Sequence, residues 1–268
     1  MADANGANAA RSGAQALERA IGVLRCFEGD AELGVAQVAR QLALSGSTAH
    51  RLLRTLCRGG LVAQDTTSGR YRLGPRMATL GAAASERLGY DSARPQLERL
   101  VAETGESFTL GVLDSRQSLT VLGVTARTRN AVPVLTGVYA PVHACAMGKT
   151  LVAFGAGWAE TAAAVGASLP ADLPRITDHT ITDPRVLDKE LRVTRERGWA
   201  ANDEEVIPRV RGVSVPVYAA DGQVAAALGV AVRADRLDPA EFAQWAELVR
   251  RGAERMRGLV VPAQLPTG

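Results

Sequence analysis

The sequence predicts an α+β protein that opens with a winged helix-turn-helix. Three observations predict it. Residues 34–76 hold Arg40, Arg51, Arg54, Arg58, Arg70, Arg72 and Arg76 against one acid, Asp65. Within that stretch two short runs at helical spacing flank a tight break, and a basic alternating hairpin follows. From residue 92 onward, strand pairs alternate with helical segments, which is the pattern of a mixed domain.

The helix-turn-helix is read from periodicity. Val35, Val38, Ala39 and Leu42 fall on one helical face. The break Ala43-Leu44-Ser45-Gly46 follows. Ala49, Leu52, Leu53 and Leu56 then recur at i, i+3, i+4 and i+7, one buried face of a second helix. Ser45 or Ser47 can cap its first turn by accepting from a free backbone N–H. The outer face carries Ser47, His50, Arg51, Arg54 and Arg58. Two short helices joined this way, the second basic outside, form a helix-turn-helix. Leu61-Val62-Ala63 reads as a strand, Asp65 to Gly69 as a turn, and Arg70 to Leu73 as the returning strand. Alternation puts Arg70 and Arg72 on one face, with Tyr71 and Leu73 inward.

The remaining elements follow in order. Residues 1–14 are small and polar and are expected to form a disordered tail. Residues 15–27 form the first helix, with Leu17, Ala20, Ile21 and Leu24 inward. The winged unit spans 15–75, and an alanine-rich linker helix spans 76–90. A mixed domain covers 91–262, and a short tail covers 263–268. In that domain, helices are expected at 93–104, 147–154, 158–165, 184–197 and from Asp238-Pro239 to about 256. Strands are expected at 108–113, 118–124, 210–218 and 224–232. Asp183 caps the helix that Pro184 opens, and Asp221-Gly222 turns a hairpin.

Charge supports the division. Residues 1–90 carry 11 basic and 7 acidic side chains (+4), and the remainder carries 20 and 21 (−1), together the chain's +3. A cationic patch on a small unit of an otherwise neutral chain suggests a polyanion partner. No apolar run reaches the length of a membrane span and the start lacks a signal-peptide core, so no membrane partner is expected. Cys26, Cys57 and Cys145 are odd in number and form no CxxC pair, which fits a reducing cytoplasm. His143 and Cys145, with His179 or Asp178, lack the usual metal-ligand spacing. Gly148-Lys149-Thr150 resembles the end of a P-loop, but His143 stands where the required glycine would be. No cofactor is expected.

Nearly the whole chain resembles the IclR family of bacterial transcription regulators. The matching stretches are Leu17–Phe27, Ser47–Val62, Gly69–Leu80, Pro141–Ala153, Thr180–Gly198 and Asn202–Val217. The resemblance implies a sequence-specific DNA-binding regulator, dimeric or a dimer of dimers, reading a pseudo-palindromic operator on double-stranded DNA. It implies a C-terminal GAF-like effector domain with a curved, mostly antiparallel sheet, sensing a small organic molecule. Ser45, Ser47, Thr48, His50, Arg51, Arg54 and Arg58, with Arg70 and Arg72 on the wing, are the implied DNA contacts.

Carried over residue by residue, the effector positions are Gly137, Val138, Asn202, Val210, Gly212, Gly229 and Ala231. Asn202 stands where some members have aspartate. Gly212 stands where Cys or Ser is frequent, and Gly229 and Ala231 where a pair of serines is frequent. Three readings remain open: a larger, apolar pocket suited to an effector with an apolar or aromatic part; weakened sensing; or tight strand packing alone. An enzyme with a DNA-binding appendage would need a nucleophile, base and orienter together, and no such trio stands out. An interaction module docking an acidic protein is the third class; competition by nonspecific DNA separates it from a DNA-binding regulator.

Overall fold

The computed structural model describes residues 2–114, 117–155 and 173–262. The helix expected at 158–165 and the tail expected at 263–268 lie outside the described residues. The chain divides into two units, Met1–Ala84 and Ser85–Gly268.

The first unit begins with α1 (Ala2–Cys26). The helix starts at Ala2, where the small polar sequence suggested a tail through residue 14. Alanine has the lowest cost of entering a helix, and this stretch is rich in it. Helices α2 (Val35–Gln41) and α3 (Gly46–Arg58) follow, then strands β1 (Val62–Gln64) and β2 (Tyr71–Leu73). The turn between α2 and α3 puts Ala43 in the left-handed region at φ 51°, and the Leu44 N–H closes back on the Ala39 carbonyl at 2.8 Å. A β-carbon is strained there, yet this geometry redirects the chain within three residues. Val23, Phe27, Leu33, Val38, Ala39, Ala49, Leu53, Leu56, Val62 and Tyr71 form one core. Strand β1 pairs antiparallel with β2, and Leu33 bridges Tyr71 on the other side. Tyr71 is fully buried, as alternation predicts, but Leu73 is 42 % exposed. The strand ends at Leu73, so there is no second layer for it to face.

Helix α4 (Pro75–Arg87) lies within most of the span where a linker helix is expected, ending three residues short of 90, and none of its residues is buried. The second unit contains α5 (Tyr90–Thr104), β3 (Ser107–Asp114), β4 (Gln117–Val124), β5 (Tyr139–Pro141), α6 (Ala146–Phe154), α7 (Pro184–Arg197), β6 (Ala200–Asp203), β7 (Val210–Tyr218), β8 (Val224–Arg233) and α8 (Phe242–Arg255). The six strands form one antiparallel sheet in the order β5-β4-β3-β8-β7-β6. Strands β5 and β6 were not expected from sequence. Each is only three or four residues long and lies at an edge, where burial imposes little pattern.

The two faces of the sheet differ in side-chain size. Phe108, Leu110 and Val112 on β3, Val213, Val215 and Val217 on β7, and Leu228, Val230 and Val232 on β8 pack with α5 and α8 in the main core. Alternation sends Ser107, Thr109 and Gly111, Gly212, Ser214 and Pro216, and Ala227, Gly229 and Ala231 to the opposite face. That face is a trough paved by small residues. Helix α6 packs against β3, β7 and β8. Val142, Val152, Ala153, Leu173, Leu187 and Leu191 form a smaller core that joins α6 to α7.

Candidate DNA interface and effector site

Ser45 is the N-cap of α3. Its Oγ accepts from the Thr48 N–H at 3.3 Å and lies 2.9 Å from Thr48 Oγ1 and 3.1 Å from Ser47 Oγ. Of the two serines that could cap, Ser45 does so, and the three hydroxyls form one knot at the helix start. Ala49, Leu53 and Leu56 are buried, while Ser47, His50, Arg51, Arg54 and Arg58 are exposed. Arg58 Nη2 is tied to Thr55 Oγ1 at 3.3 Å. Arg51 and Arg54 make no ion pair among the described residues, so their guanidinium groups remain available to an external acceptor.

The wing turn is built by Asp65. Its carboxylate accepts from the Thr67 and Ser68 N–H groups at 2.9 and 2.7 Å and from the Ser68 hydroxyl at 3.0 Å. Those bonds, the Ser68 N–H first, hold its pKa below the ordinary aspartate value. The two wing arginines differ. Arg72 is exposed. Arg70 Nη2 donates to the Glu32 carbonyl at 2.7 Å, and its Nε sits 3.8 Å from the Glu32 carboxylate. Arg70 therefore fastens the wing to the loop before α2.

In the second unit, strand register brings several implied effector residues together. Asn202 pairs with Gly212, and Gly212 with Ala231. Gly229 lies two residues back along the same face of β8. Val210 starts β7 opposite Arg233. Gly137 and Val138 lie apart from these, in the exposed segment entering β5. Two strand spacings, about 10 Å, separate β8 from β4 beside that segment. The Gly137 N–H is already given to the Thr120 carbonyl at 2.8 Å, and the Val138 carbonyl accepts from Thr120 N–H at 2.9 Å. Asn202 Oδ1 accepts from the Glu205 N–H at 2.9 Å.

The glycines of the trough have different physical reasons. A β-carbon on Gly212 would collide with the Val230 carbonyl oxygen. Close strand approach therefore demands glycine there, whatever the ligand. A β-carbon on Gly229 would meet Met147 Cγ at 3.1 Å and Thr109 Oγ1 at 3.4 Å. One on Gly111 would meet Met147 Sδ at 2.9 Å. Met147, from the first turn of α6, therefore lies over both glycines, and Thr109 Oγ1 donates to its sulfur at 3.4 Å.

Beside Met147, α6 is anchored by buried polar groups. Cys145 caps the helix by accepting from the Gly148 N–H at 3.2 Å; burial pushes its thiol up from the ordinary value. A β-carbon on Gly148 would collide with Val142, so glycine lets the helix start close on that loop. Lys149 donates to Glu205 Oε1 at 2.7 Å. Burial pushes the Glu205 carboxyl up, against the pull of the Lys149 charge. His143 Nε2 lies 3.1 Å from the Pro174 carbonyl oxygen, and burial lowers its pKa. Among the described residues, no group of three or more His, Cys, Asp or Glu side chains converges as metal ligands would. Sequence reasoning did not single out Met147 or Glu205. Glu205 enters the sequence reading only within the Asn202–Val217 stretch of the resemblance, and an isolated methionine on an apolar run has no signature of its own.

A capped helix with an outward arginine face, a basic wing and a separate α+β domain define a DNA-binding regulator of two units. Comparison with known proteins gives the family. The IclR helix-turn-helix domain matches residues 16–66, and the bacterial transcriptional regulator IclR C-terminal domain matches residues 86–257. The chain belongs to the IclR family of transcriptional regulators. It is 33 % identical to the HTH-type transcriptional regulator XynR of Escherichia coli strain K12, over 93 % of this chain and 98 % of that protein. It is 33 % identical to the glycerol operon regulatory protein of Streptomyces coelicolor, over 83 % of this chain and 86 % of that protein. Among solved structures, an IclR homologue from Microbacterium hydrocarbonoxydans complexed with 4-hydroxybenzoate superposes with a TM-score of 0.78 at 27 % identity, over 91 % of this chain and 97 % of that chain.

Proposed function

We propose that this regulator binds a two-fold DNA site through Arg51 and Arg54 of α3, with Arg72 on phosphate, and that a small molecule seated against the sheet trough alters that binding. The observation that carries the DNA reading is the exposed face of α3, capped by Ser45 and bearing two arginines with no ion pair among the described residues. Arginine in that position can bond a guanine edge bidentately, and phosphate contacts from the wing fix register without reading sequence.

Dimerisation is supported by α4. No residue of this helix is buried, and Leu80 is 53 % exposed. An alanine-rich helix with an exposed leucine suits close packing against a second copy. Two linked DNA-binding units gain affinity through effective concentration, and two-fold protein symmetry calls for a pseudo-palindromic operator.

The effector reading draws on the trough and on the 4-hydroxybenzoate complex of the Microbacterium relative. Gly137 is an unsuitable anchor for an acid group, because its N–H is spent on Thr120. Small residues on β3, β7 and β8 pave the face on which α6 lies, and the hydroxyls of Thr109 and Ser214 supply polarity there. The role is one of binding. The effector shifts the protein between arrangements of differing DNA affinity, by as much as it prefers one over the other. Selection of bound fragments from random duplex DNA, followed by footprinting of the full chain, tests the reading. A two-fold footprint is expected, and a single asymmetric half-site bound by a monomer would overturn it.

A further inference from the structure

The position of Met147 carries an inference about what the trough accepts. From Val142 to Thr150, Met147 alone is half-buried and every other residue is buried. Its side chain nevertheless lies close over the sheet face: a β-carbon would fall 2.9 Å from its sulfur at Gly111 and 3.1 Å from its Cγ at Gly229. It is therefore a side chain with one end in a tight hollow and access from outside. Methionine is unbranched, with a polarisable sulfur that fits irregular gaps and makes favourable contacts with aromatic edges. The single bond from Thr109 to its sulfur is weak, because a thioether is a poor acceptor.

Next to this hollow, Ser214 pairs with Gly229 in the sheet register and is fully buried. Its Oγ has no hydrogen-bond partner. A buried hydroxyl without a partner costs free energy that an incoming donor or acceptor recovers. The hollow thus combines a glycine floor, a movable apolar occupant and an unsatisfied hydroxyl at its side.

We propose that Met147 is an internal occupant of the effector trough that sets its ligand size. A small aromatic ring carrying one hydrogen-bonding group takes the space over Gly111 and Gly229, Ser214 Oγ meets the polar group, and the displaced thioether packs on the ring edge. This rests on the trough being the effector site, as proposed above.

Phenol serves as the probe, read by calorimetric titration of the full chain with no DNA present. Met147→Ala removes the occupant and should bind phenol about tenfold or more tighter than the unaltered protein, as an opened apolar cavity takes an aromatic guest. Met147→Leu refills the hollow and should bind like the unaltered protein. Adding Gly229→Leu to Met147→Ala should abolish the gain, with circular dichroism showing that each variant keeps its fold. If Met147→Ala folds and gains nothing, or if Met147→Leu gains equally, Met147 is not the occupant. If the gain survives Gly229→Leu, the probe sits elsewhere and the proposal fails. Phenol binding to Met147→Ala over Gly229 with no change in operator affinity would uphold the occupant and overturn the regulatory reading instead.

Discussion

Lys149 of α6 and Glu205 of the segment after β6 form an ion pair of 2.7 Å, with the lysine side chain 1 % exposed and the glutamate 9 %. The two stand 56 residues apart in sequence. The pair fixes the helix that carries Met147 to the strand edge that carries Asn202. Removing one partner leaves a buried charge without compensation. Lys149→Met should therefore cost about 3–5 kcal/mol, whereas Lys149→Met with Glu205→Leu should recover much of the loss. Trp158, Trp199 and Trp245 all lie in the second unit, so tryptophan fluorescence during urea unfolding reads this unit alone. Equal destabilisation in the single and double variants would show that packing, not charge, dominates.

Acid should weaken the same unit through His143. Burial disfavours its charged ring and holds its pKa below the ordinary value, with the Lys149 charge adding to this and the Pro174 carbonyl opposing it. The folded state then binds fewer protons than the unfolded one. The stability His143 contributes is complete above the unfolded pKa of about 6.5 and is lost as pH falls below it toward the folded value. Glu106 and Glu205 are shifted upward by burial, so their protonation opposes this trend. The comparison is therefore with His143→Gln, which should lose less stability than the unaltered chain between about pH 7.5 and about pH 5.5. Parallel pH profiles would contradict the assignment.

The trough glycines should respond unequally. At Gly229 the neighbour is the flexible side chain of Met147; at Gly212 it is a backbone carbonyl. Gly212→Ala should destabilise by about 1–3 kcal/mol or more, and Gly229→Ala by distinctly less. Urea midpoints read by tryptophan fluorescence decide it, and a reversed order would mean that β7 and β8 are less closely paired at Gly212 than their register indicates.

The two wing arginines should also separate. Arg72→Ala should weaken all duplex DNA alike and lower the salt slope by about one, with no loss of stability. Arg70→Ala should in addition lower the melting temperature of the first unit, because it releases the wing from Glu32. Calorimetric scans beside binding titrations at several salt concentrations check both. A stable Arg70→Ala protein with a loss confined to DNA binding would show that the Glu32 tie is incidental.

Much of this molecule is legible in its sequence, for identifiable reasons. Ala49, Leu53 and Leu56 are buried where helical spacing places them, and β7 and β8 flank the Asp221-Gly222 turn as that hairpin signal leads one to expect. Arg51 and Arg54 are outward because their spacing opposes that buried face. The division of labour between Arg70 and Arg72 was not legible, since it depends on where the Glu32 loop lies in space. Nor was the contrast between Gly212 and Gly229, because a missing side chain looks the same whether it accommodates a carbonyl, a methionine or a ligand. The Lys149–Glu205 pair joins residues that only the sheet brings together.

We propose that the outward arginines of α3 read DNA for the whole chain. Fluorescence anisotropy on a fragment selected by the full-length protein, at one fixed salt concentration and against an unrelated duplex of equal length, tests it most directly. Arg51→Ala should lose about 1–3 kcal/mol on the selected fragment and much less on the unrelated one, so that discrimination collapses. Undiminished preference for the selected fragment in folded Arg51→Ala and Arg54→Ala proteins would contradict the account.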